Sequence, residues 1–113
     1  MLNLNDPSLL KQRCYLNGKW RDAHSGATFA VTNPATGEHL ASVPNMGAQE
    51  TDEALTAAEH AFALWRRTTA KERAQQLHTW FNLILSHQTD LATLLTAEQG
   101  KPLAEAKGEI AYG

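Results

Sequence analysis

The chain has 113 residues, 42% hydrophobic and 19% charged, with ten Lys and Arg against twelve Asp and Glu for a net charge of −2. This is the length of one small domain or of part of a larger one, and the composition is globular rather than disordered. No like-charge run marks a nucleic-acid or membrane surface, no apolar stretch reaches the roughly eighteen residues of a membrane span, and the single cysteine, Cys14, allows neither an internal disulfide nor a cysteine-based zinc site.

In chain order, Met1 to Asp6 has neither a basic n-region nor an apolar h-region and does not read as a signal peptide. The Asn-x-Ser/Thr sequon is also absent, and the expected location is the cytoplasm. Residues 1–46 read as a strand-rich N-terminal arm. Asp6-Pro7 joins an N-cap to a proline at the first helical position and predicts a short turn through Leu9 and Leu10. Cys14-Tyr15-Leu16 and Lys19-Trp20-Arg21 flank Asn17-Gly18, a dipeptide suited to the type I′ turn because both central residues must take positive φ. A second hairpin runs from Phe29-Ala30-Val31-Thr32 through Asn33-Pro34-Ala35-Thr36-Gly37 to Glu38–Val43, with Pro44 ending the strand.

From Gly47 the apolar period changes from two to about 3.6. Thr51, Leu55, Ala58, Phe62 and Trp65 predict the buried stripe of an amphipathic helix of about five turns. Thr69-Ala70-Lys71-Glu72 is a capping box, opening a second helix with a stripe of Leu77, Trp80, Phe81, Ile84 and Leu85. A third helix is expected around Asp90 to Gln99, with Leu91, Leu94 and Leu95 together and Gly100 as its left-handed cap; a fourth runs from Pro102 through Ala111. Residues 47–113 are thus expected to form a helical layer, and the apolar face of Leu103, Ala106 and Ile110 asks for packing beyond the last residues.

Signatures of chemistry are scarce. The glycines compose neither GxGxxG nor a P-loop, and HExxH and GxSxG are absent. Cys14 reads as a small apolar strand residue rather than a nucleophile. His60, His78 and His87 sit among polar helix residues and read as surface positions. Trp65 and Trp80 lie on apolar stripes, so core packing is preferred to base or sugar stacking for the tryptophans. Arg66-Arg67 near a helix end suits the macrodipole. Glu98-Gln99-Gly100-Lys101-Pro102 reads as a helix stop and restart with Lys101 solvated.

Three segments in order resemble the aldehyde dehydrogenase superfamily: Leu16-Asn17-Gly18-Lys19-Trp20, Val31-Thr32-Asn33-Pro34-Ala35-Thr36-Gly37-Glu38 and Glu98-Gln99-Gly100-Lys101-Pro102-Leu103. Ala57-Ala58, Ala61-Phe62, Trp65 and Arg73-Ala74 are similar to the family's intervening helices. Trp80-Phe81-Asn82-Leu83 and the run from Glu98 to Ile110 are most similar to bacterial succinate- and glutarate-semialdehyde dehydrogenases.

The resemblance implies an α/β aldehyde dehydrogenase fold. Only its N-terminal part is here: two short β-hairpins, then an antiparallel set of about four helices that layers the NAD(P)-binding domain. It implies oxidation of succinate semialdehyde, or a similar short semialdehyde, to the acid with NAD or NADP, a homo-oligomer, and a place in 4-aminobutyrate degradation. In the family a cysteine attacks the aldehyde, hydride passes to the dinucleotide, and a glutamate-activated water hydrolyses the thioester. Those residues and the dinucleotide-binding segment are expected beyond residue 113, so this chain is assigned no catalytic and no cofactor-binding residue. Cys14 does not match the catalytic motif. By resemblance, Glu98 stands where some relatives hold an alkali cation, with the carbonyls of Val31-Thr32 as further oxygen ligands; an ordinary surface or capping glutamate is the competing reading. The chain alone is expected to be inactive. The alternative from another class is a non-catalytic helical interaction module with a hairpin arm.

Overall fold

Backbone chemistry explains most element boundaries. The computed structural model describes residues 2–113. Pro7–Leu9 make a single 3-10 turn, and Asp6 caps it by accepting the Ser8 N–H at 3.0 Å. Strands β1 (Cys14–Leu16) and β2 (Lys19–Arg21) pair antiparallel with Leu16 opposite Lys19. Asn17 (φ +49°) and Gly18 (φ +75°) supply the two positive φ values that this turn requires. Strands β3 (Thr28–Thr32) and β4 (His39–Pro44) form the second hairpin, with Thr28 opposite Pro44 and a register shift at Val31/Thr32. At its tip Asn33 Oδ1 accepts the Ala35 N–H at 2.9 Å, an Asx turn.

Helices α1 (Ala48–Trp65), α2 (Ala70–Ser86), α3 (Gln88–Gln99) and α4 (Leu103–Tyr112) follow. The capping box of α2 forms as expected: Thr69 Oγ1 accepts the Glu72 N–H at 3.2 Å, and Glu72 Oε2 accepts the Thr69 N–H at 2.7 Å. Thr69→Ala is expected to cost about 1 kcal/mol of stability, read by urea denaturation; an unchanged midpoint would show the cap to be idle. Helix α3 starts two residues before the expected Asp90, because His87 closes α2 and opens α3 without a linker. Helix α4 starts at Leu103, with Pro102 as its extended N-cap residue.

Helix α3 is the centre of packing: it lies against α4, α2 and β3. The buried apolar side chains among the described residues are few, namely Leu16, Ala23, Ala41, Pro44, Ala92, Leu94 and Ala106. Leu94 and Ala106 belong to the expected faces of α3 and α4, but the expected stripe residues of α1 and α2 do not join them. Trp80 is 63% exposed, Phe62 58% and Leu77 55%, and Trp65 and Trp20 are also exposed. The periodicity is real, but nothing among the described residues covers it. Helix α1 turns the side bearing Glu53, Ala54 and Ala57 toward β1–β2, and leaves the stripe of Leu55, Phe62 and Trp65 exposed.

The shape agrees. The radius of gyration is 16.6 Å over extents of 47 × 36 × 20 Å, where a compact chain of this length would have about 13 Å. The accessible surface is 8347 Å², about 2,200 Å² more than a compact monomer of this mass presents. The residues form a flat layer rather than a closed globule.

Candidate functional site

The second and third motif segments meet in space. Gly100, the C-cap of α3, takes φ +87°, and a Cβ placed there would stand 3.1 Å from Pro34 Cγ at the tip of the β3–β4 hairpin. Glycine is therefore required twice, by the left-handed backbone and by the close approach. Lys101 is not free in solvent as the sequence suggested: its ammonium pairs with Glu109, fastening the turn to α4. The Gln88 side-chain amide donates to the Lys107 carbonyl at 3.0 Å and ties α3 itself to α4.

Glu98 is exposed on the last turn of α3. With Val31, Phe29, Leu40, Leu94 and Lys11 it lines a cavity of about 230 Å³ under the β3–β4 hairpin. Glu98 and the Val31 segment are thus neighbours, although 67 positions separate Val31 from Glu98 in the chain. No group of three or more His, Cys, Asp or Glu side chains among the described residues could hold a metal ion. Cys14 is a half-buried free thiol on β1, in register with Arg21.

The histidines are dispersed. His60 and His78 are exposed, as read from sequence, and His78 stacks on Phe81 with ring centroids 5.7 Å apart. His87 departs from that reading and is half-buried at the α2–α3 corner. His39 Nε2 lies 3.0 Å from Ser42 Oγ on the exposed hairpin.

Two carboxylates missed in the sequence organise the fold. Asp90 is only 4% exposed. Its Oδ1 accepts the Asn5 N–H at 3.0 Å and the Asn5 side-chain amide at 2.9 Å, while Oδ2 accepts the Asp6 N–H at 2.8 Å. The backbone donors of Asn5 and then Asp6 hold its carboxyl below the usual aspartate range. Glu50 does the same for α1: Oε1 accepts the His24 N–H and Oε2 the Gly47 N–H, each at 2.9 Å. The His24 backbone bond is the main cause of its lowered pKa. Beside it Glu53 meets His24 Nε2 at 2.8 Å and Arg21 at 3.6 Å. Glu50 could have been suspected from its place three residues after the Gly47 cap; Asp90 carried no local signal, because its partners lie 84 and 85 positions away.

These clusters fasten separate segments of the chain to one another. The carboxylates of Asp90 and Glu50 are occupied by backbone N–H groups and act as anchors. The cleft between β1–β2 and α1, about 710 Å³, is wide and open, with Arg21, Asp52, Glu53 and His60 on its walls. No helix among the described residues is long and apolar enough to cross a membrane.

The comparisons with known proteins agree with this architecture. Over 113 residues the chain is 61% identical to 3-sulfolactaldehyde dehydrogenase of Pseudomonas putida, covering all of this chain and 23% of that protein. It is 58% identical to the NADP(+) succinate-semialdehyde dehydrogenase of Escherichia coli, over 98% of this chain and again 23% of that protein. The crystal structure of an E. coli NADP-dependent enzyme superposes with a TM-score of 0.95 at 58% identity, covering 97% of this chain and 23% of that one. Succinate-semialdehyde dehydrogenase of Burkholderia pseudomallei gives 0.94 at 59% identity, over 96% of this chain and 23% of that structure. The chain therefore spans less than a quarter of the length of these relatives. Residues 20–113 match the aldehyde dehydrogenase family, and the chain belongs to that family.

Proposed function

We propose that these residues are the N-terminal layer of an NAD(P)-dependent dehydrogenase that oxidises succinate semialdehyde, or a similar short aldehyde with an anionic end, to the acid. The reading rests on the 0.95 superposition at 58% identity onto 23% of an NADP-dependent enzyme. Relatives at 56–61% identity are named for succinate semialdehyde, glutarate semialdehyde and 3-sulfolactaldehyde, aldehydes that share an acidic group at the far end. The nucleophilic cysteine, the general base and the dinucleotide site are assigned to parts of the enzyme outside this chain, which acts in a cytoplasmic homo-oligomer. The arm of residues 1–46 and the helical layer of 47–113 then cover its cofactor domain.

The test compares the enzyme that contains these residues with the purified 113-residue chain, each given succinate semialdehyde and NADP+ or NAD+. Dinucleotide reduction is expected from the former and none from the latter; turnover by the 113 residues alone would overturn the assignment. The isolated chain is also expected to bind a hydrophobic dye strongly and to self-associate, because the α1 and α2 stripes stand open. A dye-silent monomer with a sharp thermal transition would favour the interaction-module alternative.

Glu98 is the one residue assigned to a ligand. With the Val31-Thr32 carbonyls it would hold an alkali cation, a hard ion suited to oxygen donors; its support is the cavity wall that Glu98 shares with Val31. Sodium or potassium is expected to raise the Tm of the enzyme, and Glu98→Gln to remove that response. An equal salt response in both proteins would leave Glu98 a surface residue.

A further inference from the structure

We draw no further inference here: the strongest candidate, the open apolar face of α1 and α2 bearing Leu55, Phe62, Trp65, Leu77 and Trp80, carries nothing because the structure does not show what covers it beyond the enzyme body already proposed.

Discussion

Gly100→Val is expected to destabilise the protein by about 2–3 kcal/mol, since a β-branched residue at φ +87° pays the left-handed penalty. Its Cβ would also enter the 3.1 Å gap to Pro34 Cγ. The two costs separate experimentally. Gly100→Asn keeps a side chain that tolerates the left-handed region, so it recovers the backbone part and retains the crowding. Adding Pro34→Ala to Gly100→Ala removes the crowding and leaves the backbone part. The double variant is therefore expected to lose less than the sum of its singles in a denaturant titration. Strict additivity would mean that the hairpin tip yields freely, and that the two motif segments meet without energetic consequence.

Replacing Asp90 with alanine is expected to release the N-terminal segment. Three donors from Asn5 and Asp6 lose their acceptor at once, and hydrogen bonds to a charged group are among the stronger ones. Hydrogen exchange at the Asn5 and Asp6 amides should speed by on the order of tenfold or more, while the Thr69–Glu72 cap of α2 stays protected. Unchanged exchange at Asn5 and Asp6 would show the clamp to be incidental. The pH dependence follows from the direction of the shift. Asp90 has its pKa lowered on folding, so the folded state binds its proton less readily than the unfolded one. The stabilisation is fully present above the ordinary aspartate value of about 3.9. It fades as pH falls through the lower folded value. Glu50 adds a loss of the same sign. Acid unfolding of wild type should steepen below about pH 4, and Asp90→Ala should flatten that limb.

Local chemistry was legible wherever a few adjacent residues decide the outcome. Asn17-Gly18 gave the tight turn, Thr69 and Glu72 the cap of α2, and Gly100 the end of α3, because positive φ and orphan amide protons are properties of neighbours in sequence. The apolar periods of α1 and α2 were equally readable, and so was the likeness of the three motif segments to a dehydrogenase family. Burial was not. Periodicity says which face of a helix is oily, but only a partner surface decides whether that face is covered, and Phe62, Leu77 and Trp80 stay more than half exposed.

The sequence by itself thus determined the order and type of the elements, several of their ends, and the family to which they belong. Tertiary structure alone decided which carboxylates matter. Asp90 and Glu50 look like any helix-start acids until folding brings Asn5, Asp6 and His24 to them. It also decided that Lys101 is paired rather than solvated, and that Pro34 and Gly100 share one corner. The physical reason is range: backbone torsions and capping bonds act over three or four residues, whereas a carboxylate's partners are set by how distant segments pack.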